Sequence, residues 1–378
     1  MNTHVREFRY EPRRILDFLK ENAVLMIAIL AAIITSIIVP PDKEYLGYFD
    51  FKTLACLFSV LAVVCALRNI RFFYTLAKAI VRKFRNARVA ILALVYITFI
   101  GSMLIANDMA LLTFLPLGYF ILHTTKKEKY LAFAFIMQNI AANLGGMLTP
   151  FGNPQNLYLY SKFNIPDSEF VTIMFPPFIV AILLITVCCL VFVKSEPLEI
   201  EEKAASLPIG RVIIYLALFA VAIMMVFRFM PYQIGLIIIP LALLFLDREA
   251  LKQVDYGLLF TFVFFFIFAG NMGRIDAVRS FFSYLLNINT LIFSAMSCQF
   301  ISNVPSAILL SQFTDNYREL LLGVNIGGAG TLIASLASLI TFKEYTKQDP
   351  KHTLSYVLKF TAFNFAFLII LTLFCLIL

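Results

Sequence analysis

Long apolar blocks separated by short polar segments run through almost the whole chain. A helix that crosses a bilayer needs about 20 predominantly apolar residues. The pattern predicts helical stretches at about 23–39, 51–67, 89–105, 109–122, 130–148, 170–193, 211–227, 231–246, 255–272, 288–301, 304–313, 320–342 and 354–378. It therefore predicts an all-α polytopic membrane protein, although several of these stretches are too short to cross a membrane alone.

Two pairs of short apolar stretches each meet at a polar tip. The first pair comprises 89–105 and 109–122, and the second comprises 288–301 and 304–313. Irregular backbone at membrane depth is tolerated only where it is buried in protein or lines a cavity. We interpret both pairs as re-entrant hairpins, which leaves about nine crossings.

The distribution of basic residues supports this interpretation. Cytoplasmic loops of membrane proteins carry an excess of Lys and Arg. With a cytoplasmic N-terminus and both hairpins returning to the side they enter, most of the 31 Lys and Arg residues lie in the cytoplasm, and the C-terminus lies outside. The net charge of +8 then reflects topology, so no nucleic-acid partner is expected. Residues 1–22 lack a small-residue cleavage site, and we expect a cytoplasmic tail there, not a signal peptide.

The composition and the motifs that are missing narrow the class. Hydrophobic residues make up 61% of the chain and charged residues 14%, whereas soluble domains are about 25% charged. The six cysteines show no repeated CxxC spacing, and the three histidines do not cluster. The sequence contains no Gly-Lys pair, and therefore no Walker A motif. We expect neither an enzyme nor a cofactor, apart from a possible coupling Na⁺.

The two halves of the chain repeat one motif across a charged linker at 194–208. Residues 143–149 and 325–331 are identical at four of seven positions, and each motif follows a hairpin. Repeats of opposite topology are typical of secondary transporters. We predict a first repeat at 23–193 and a second at 209–378. Their expected scaffold parts are 23–87 and 209–287, and their expected transport parts are 88–193 and 288–378.

Polar residues at the hairpin tips and in the Gly-rich segments are the candidate site. Gly and Pro break these helices and free backbone groups. Half-helix N-termini favour anions, and oxygen ligands suit a hard cation such as Na⁺. We predict a substrate site comprising Asn107, Asn303, Ser302, Asn153, Pro154, Thr331 and Ser335. We assign cation or proton coupling to Asp108, Asn143, Gly145, Gly146, Thr149, Asn156, Gly327, Gly328 and Ser338.

Asp108 is the sharpest single candidate in the sequence. It is the only carboxylate between Arg88 and Glu128, and the predicted topology places it at membrane depth. Acidic residues inside a membrane are costly and mark ion or proton pathways. The alternative is a tip that reaches cytoplasmic water, where Asp108 would have no such role.

The two tips and the two Gly-rich segments resemble those of the ion transporter superfamily. The tips read Ala106-Asn107-Asp108 and Ser302-Asn303-Val304, and the resemblance covers about residues 22–378. Members include divalent anion:sodium symporters, citrate permeases, arsenite permeases and sodium/proton antiporters. The resemblance implies a scaffold domain and a moving transport domain with an elevator-like motion, often in a homodimer.

In the sodium-coupled symporters of this superfamily each tip carries Ser-Asn-Thr. Both asparagines match here, whereas both threonines are replaced, and the Ala-Asn-Asp tip resembles the arsenite permeases. We expect a secondary active transporter that moves a small anion across the lipid bilayer, with a di- or tricarboxylate favoured, coupled to Na⁺ or H⁺. The alternatives are an arsenite-type efflux permease, a Na⁺/H⁺ antiporter of the same fold, or a passive channel.

Overall fold

The structure, a computed structural model, describes residues 23–198 and 207–378. The predicted tail at 1–22 and residues 199–206 of the predicted linker lie outside the described residues. Within the described ranges the chain forms eighteen α-helices and no β-strand. The prediction of an all-α polytopic membrane protein is confirmed.

The described residues of the first half, 23–198, form eight helices, and the sharp turn between the fourth and fifth forms the first predicted hairpin. They are α1 (Ala23–Ile38), α2 (Phe51–Asn69), α3 (Phe72–Val81), α4 (Ala87–Ile105), α5 (Asn107–Thr124), α6 (Leu131–Gly145), α7 (Pro154–Lys162) and α8 (Asp167–Phe192). A short 3₁₀ turn at Gly146–Leu148 and irregular backbone separate α6 from α7. This is the first predicted helix break.

The second half contains ten helices with the same order of hairpin and break. They are α9 (Ile209–Val226), α10 (Tyr232–Leu246), α11 (Arg248–Lys252), α12 (Tyr256–Gly273), α13 (Asp276–Ile288), α14 (Thr290–Ile301), α15 (Asn303–Leu310), α16 (Tyr317–Ile326), α17 (Leu336–Gln348) and α18 (Thr353–Ile377). The second hairpin joins α14 to α15, and the second break separates α16 from α17.

Seven helical segments in the described part of the chain are long and apolar enough to cross a membrane. They are Phe51–Asn69, Ala87–Ile105, Glu128–Leu148, Asp167–Phe192, Ile209–Val226, Arg248–Gly273 and Pro350–Ile377. The nine predicted crossings comprise six of these segments, the shorter helices α1 and α10, and the broken pair α16–α17. The remaining segment, Ala87–Ile105, is an arm of the first hairpin in that prediction. The side of the membrane at which each end lies stays a prediction.

Burial separates central helices from peripheral ones. The apolar windows of Phe51–Asn69 and Glu128–Leu148 are 72% and 83% buried, whereas those of Asp167–Phe192 and Pro350–Ile377 are each 22% buried. Leu183, Val187 and Val191 on α8 are correspondingly exposed. An apolar surface of that extent is unusual for a soluble monomer and suits a helix that faces lipid. The protein core therefore lies around α2 and α6.

The contacts between helices repeat across the two halves. Helix α4 packs on α5 and α6 in the first half, and α14 packs on α15 and α16 in the second. The second arm of each hairpin also contacts the helix that follows the break of the other half: α5 contacts α17, and α15 contacts α7. The two repeats therefore interlock at the hairpins and breaks, where the sequence motifs lie.

The start of the predicted linker is fastened to the first repeat. The backbone N–H of Ala87 donates to the carbonyl of Glu196 at 2.8 Å, and that of Leu198 donates to the carbonyl of Arg85 at 3.0 Å. The Glu196 carboxylate accepts from Lys127 at 2.6 Å and from Lys129 at 2.5 Å. The described part of this segment, up to residue 198, is therefore tied to the turn before α4 and to the α5–α6 turn.

Candidate functional site

The two hairpin tips share one unusual backbone geometry. Ala106 has φ 64° and ψ 152°, and Ser302 has φ 73° and ψ 159°. Residues other than glycine rarely adopt this region, which costs about 1–3 kcal/mol per residue. The strain persists because each next residue is anchored: the N–H of Asn107 donates to the carbonyl of Gly152 at 3.1 Å, and that of Asn303 donates to the carbonyl of Ala334 at 3.0 Å. Each tip is thereby tied to the break of its own repeat.

The tip asparagines begin the second arms of the hairpins. The side-chain oxygen of Asn107 accepts from the N–H of Asp108 at 2.9 Å, and that of Asn303 accepts from the N–H of Val304 at 2.9 Å. Both asparagines are 3% exposed. The side-chain amide of Asn107 also donates to the Asn143 side chain at 3.2 Å. Each asparagine thus satisfies one free backbone N–H group at the start of its helix. Both asparagines also line the cavity that lies between the two tips.

A matching threonine holds each break against its hairpin. The Thr149 hydroxyl donates to the carbonyl of Met103 at 2.7 Å. The Thr331 hydroxyl donates to the carbonyl of Gln299 at 3.0 Å. Met103 and Gln299 each lie three residues before the tip residue of their own hairpin. The threonine that ends both motifs therefore makes the same hydrogen bond in each repeat.

Side-chain amides satisfy much of the backbone that the breaks set free. The amide of Asn156 donates to the carbonyls of Gly146 and Met147 at 3.2 Å and of Thr149 at 3.3 Å. In the second break the amide of Gln299 donates to the carbonyls of Gly327 at 2.9 Å and Ala329 at 3.2 Å. Buried carbonyls without such partners would cost free energy. An ion at these carbonyls would share them with the amides.

Buried amides also join the two repeats behind the tips. The amide of Asn325 donates to the Asn156 side chain at 2.6 Å, and its oxygen accepts from Asn153 at 3.1 Å. A methyl group on Gly328 would lie 3.2 Å from the Asn303 amide nitrogen and 3.6 Å from the Asn143 side-chain oxygen. The Asn-x-Gly-Gly motif of each repeat therefore contacts polar residues of the other repeat.

A central cavity of about 100 Å³ lies where the two tips meet. It is lined by Val24, Leu25, Asn107, Asp108, Pro154, Gln155, Asp255, Gly257, Leu258, Thr261, Ser302, Asn303, Val304, Pro305 and Leu336. Four helices begin at its wall: α5 and α15 after the tips, and α7 and α17 after the breaks. Each helix N-terminus carries roughly half a positive charge.

Unpaired oxygens lie at this cavity or close behind it. Among the described residues, Asp108 Oδ1, Gln155 Oε1 and Asn153 Oδ1 are buried and have no hydrogen-bond partner. Gln155 is only 1% exposed. A buried acceptor without a donor costs about 1–3 kcal/mol, and carboxylate and amide oxygens are ligands that a hard cation prefers. The same oxygens would also accept a hydrogen bond from a group that carries a proton.

The structure brings together part of the predicted site. Asn107, Asp108, Pro154, Ser302 and Asn303 line the central cavity. The other predicted residues lie behind it, in the amide cluster or in the breaks: Asn143, Gly145, Gly146, Thr149, Asn153, Asn156, Gly327 and Gly328. These residues position the tips and the helix starts.

Three predicted residues of the second break lie apart from the cavity. Thr331 borders a groove on the outer side of α14 and α18. The Ser335 hydroxyl lies 2.9 Å from that of Ser338 and caps the start of α17. The Asn139 amide donates to the Ser338 hydroxyl at 3.4 Å. Their predicted contact with substrate or ion has no counterpart in the cavity wall of this conformation.

Several residues at the site did not figure among the predicted ones. Asp255 lines the same cavity as Asp108 and also caps α12, accepting from the N–H of Leu258 at 2.8 Å. An acid next to an apolar stretch is typical of a helix cap, so nothing in the sequence indicated that Asp255 also lines the cavity. Gln155 and Asn325 could have been included, because both are amides beside the Gly-rich breaks: Gln155 lies at the start of α7 and Asn325 near the end of α16.

Comparison with known proteins yields matches over most of the chain. A family model described as a citrate transporter (CitMHS) matches residues 15–316. An uncharacterized transporter of Methanocaldococcus jannaschii is 33% identical over 301 residues, which cover 79% of this chain and 82% of that protein. The inner membrane protein YbiR of Escherichia coli is 26% identical over 340 residues, which cover 86% of this chain and 88% of that protein. The resemblance drawn from the tips and breaks is confirmed, and the molecule is a transport protein, not an enzyme.

Proposed function

Because the chain belongs to the citrate transporter family, we propose that it is a secondary active transporter that moves a small anion, with a di- or tricarboxylate favoured. The observation that carries this proposal is the convergence of four helix N-termini on one cavity between the hairpin tips. Together they supply roughly two positive charges. That field offsets the two carboxylates of the cavity wall, Asp108 and Asp255. With a cation or proton bound beside Asp108, the remaining positive field favours an anion.

The substrate contacts in this proposal are the tip residues. Asn107, Asn303 and Ser302 present amide and hydroxyl groups to the cavity. An anion held there also lies at the positive ends of the helices that begin at the cavity wall, where carboxylates and phosphates bind in other proteins. With about 100 Å³ available, the cavity is smaller than a usual ligand site of about 300–1,000 Å³. Binding a tricarboxylate therefore requires the tips or the facing scaffold to move apart.

Coupling to Na⁺ or H⁺ is assigned to Asp108 and the unpaired oxygens around it. Asp108 Oδ1 and Gln155 Oε1 are buried acceptors at the same cavity. A cation or proton there would offset the charge of Asp108 beside the anion, so both solutes bind best together. Such mutual stabilisation is a coupling free energy and is reciprocal.

The proposed motion is an elevator-type movement of one part of each repeat against the other. The transport part comprises 88–193 and 288–378, and the scaffold comprises 23–87 and 209–287. The central cavity lies between them, because Asp255, Leu258 and Thr261 face the two tips. We further propose a homodimer in the cell membrane, with the N-terminus in the cytoplasm and the C-terminus outside.

The second candidate function is an arsenite-type efflux permease or a Na⁺/H⁺ antiporter of the same fold. One observation favours it: the first tip carries Asp108, which lines the cavity together with a second carboxylate, Asp255. Two acids at one cavity suit exchange of cations or protons.

Uptake of labelled citrate into proteoliposomes tests the proposal. We expect saturable uptake that shows counterflow and depends on an inward gradient of Na⁺ or H⁺. Asp108→Asn should remove the dependence on that gradient. Asp276→Asn is the matched control, because Asp276 also lies in the first turn of a helix but is exposed.

Arsenite or cation exchange without carboxylate transport would favour the second candidate. Non-saturable flux without counterflow would indicate a channel. Uptake by Asp108→Asn with unchanged Na⁺ and pH dependence would refute the role of Asp108.

A further inference from the structure

Three cavities that share lining residues lead away from the hairpin tips. The central cavity shares Asp108, Pro154, Asp255 and Leu258 with a middle cavity of about 230 Å³. The middle cavity shares Arg68 and Leu112 with a third cavity of about 330 Å³, which we call the basic cavity. The cavity volume therefore increases from the central cavity to the basic cavity, which borders the segment that precedes the first hairpin.

The basic cavity combines two arginines with a wall that is otherwise largely apolar. It is lined by Arg68, Arg71, Phe73, Tyr74, Leu112, Thr113 and Pro116. Its volume is the only one of the three within the usual range for a small organic ligand. It lies between the α2–α3 turn and the second arm of the first hairpin, so it borders both the proposed scaffold and the proposed transport part.

Arg68 has unused hydrogen-bonding capacity. One terminal nitrogen donates to the Met109 sulfur at 3.4 Å, and the other donates to the Gln253 side chain at 3.2 Å. A guanidinium carries five N–H donors, and neither of these partners is charged. Among the described residues, no carboxylate lies within 4 Å of the Arg68 or Arg71 guanidinium.

Arg71 borders the same cavity at the start of α3. Arg71 has φ 56° and precedes α3, and no side chain caps the helix start there. Its side chain is exposed, whereas that of Arg68 is half-buried. Arg71 therefore lies at the solvent side of the basic cavity, whereas Arg68 also lines the middle cavity, together with Asp108 and Asp255.

We propose that the basic cavity is a second anion site, at which a carboxylate or phosphate-bearing solute binds on its path to or from the hairpin tips. This inference rests on the proposed function for its role in transport, but binding in the cavity can be measured separately. Planar guanidinium groups suit carboxylate and phosphate oxygens in a two-point contact. Arg68 lines both the basic and the middle cavity, so it binds the anion as the anion passes between them.

A single introduced tryptophan reports on the cavity directly, because the chain contains none. Tyr74→Trp places the reporter in the cavity wall, and Tyr284→Trp on α13 is the reporter control. In the purified full chain we expect citrate to produce a saturable fluorescence change with Tyr74→Trp and none with Tyr284→Trp. Adding Arg68→Gln should raise the citrate dissociation constant about tenfold to a hundredfold, the range for losing a charged hydrogen bond.

Further variants separate this site from its neighbours. Arg82→Gln removes an exposed arginine of the same basic segment that does not line the cavity, so the citrate response should be unchanged. Asn303→Ala alters the central cavity and should leave the response intact. Arg71→Gln provides a second test if Arg68→Gln lowers the yield of folded protein.

Four outcomes would overturn the proposal. They are no saturable response to citrate, a response unaffected by either arginine variant, a response lost in Asn303→Ala, and a response to phosphatidylglycerol nanodiscs only. The last would assign the cavity to a lipid headgroup. A cavity that binds citrate in a protein that does not transport it would refute the proposed function while leaving the second anion site intact.

Discussion

The close packing of the first hairpin on the first break predicts a large effect from one methyl group. Gly145 is the last residue of α6, and a Cβ atom there would lie 2.2 Å from the carbonyl oxygen of Phe99 and 2.6 Å from the Ser102 hydroxyl. Non-bonded atoms normally rest about 3.5 Å apart or more, so α4 would have to shift by roughly 1 Å. The backbone carbonyl cannot rotate away as a flexible side chain could.

The expected cost of Gly145→Ala follows from two opposing terms. Overpacking of a close-packed interior costs about 1–3 kcal/mol, and alanine in a helix recovers at most about 1 kcal/mol relative to glycine. We expect a net loss of about 1–2 kcal/mol in the free energy of unfolding. For a chain of this size the unfolding temperature should fall by roughly 1–3 °C. Transport should fall further, because the displaced α4 carries the first tip.

A thiol-reactive fluorescent dye is a suitable assay for this measurement. The chain has no tryptophan, and all six cysteines are free and buried or half-buried, so the dye reacts upon unfolding. Gly210→Ala is the control, because no heavy atom of residues 23–198 and 207–378 lies within 4 Å of its Cβ position at the start of α9. Wild-type stability and transport in Gly145→Ala would refute the described contact between α4 and α6.

Two further changes test other parts of the structure, the first by the same dye assay and the second by circular dichroism, because protonated thiols do not react with the dye at low pH. Asn325→Leu removes the donor to Asn156 and should lower the free energy of unfolding by about 1–3 kcal/mol; unfolding at the wild-type temperature would contradict the contact between the repeats. Hydrogen bonds from Lys127 and Lys129 lower the pKa of Glu196 from 4.5 to about 2. A lowered pKa in the folded state stabilises the fold above pH 4.5, and this contribution is lost as the pH falls toward 2. Glu196→Gln should therefore lower the unfolding temperature at pH 7 but hardly at pH 2, and an equal difference at both values would contradict the ion pairs.

Much of the fold could be predicted from the sequence because its signals are local and strong. Apolar length identified the crossing helices, and the polar tips near Asn107 and Asn303 identified the hairpins. Repetition of Asn-x-Gly-Gly located both breaks, since glycine clusters do not sustain a regular helix. Each of these signals depends on neighbours in the chain, which a single sequence displays directly.

The composition of the cavity wall depends on contacts between distant segments, and it was predicted less completely. Thr331 matches Thr149 in the repeat, yet both hydroxyls bond to their own hairpins, so the motif indicates a structural role as well as a binding one. Asp255 and Arg68 lie at helix ends, where charged residues usually serve as caps or topology signals. Only the folded chain brings them near Asp108.

The central claim is that an anion binds between the two hairpin tips together with a cation or proton. The most direct measurement is the shift in unfolding temperature upon addition of citrate, succinate, malate, sulfate or arsenite, with and without Na⁺ and at two pH values. A ligand at 100 times its dissociation constant stabilises the folded state by about 2.7 kcal/mol. We expect a carboxylate to raise the temperature in a Na⁺- or pH-dependent manner, and Asn107→Ala combined with Asn303→Ala to abolish the dependence on Na⁺ or pH. Stabilisation by none of these anions, or a rise in the double variant that still depends on Na⁺ or pH, would contradict the account.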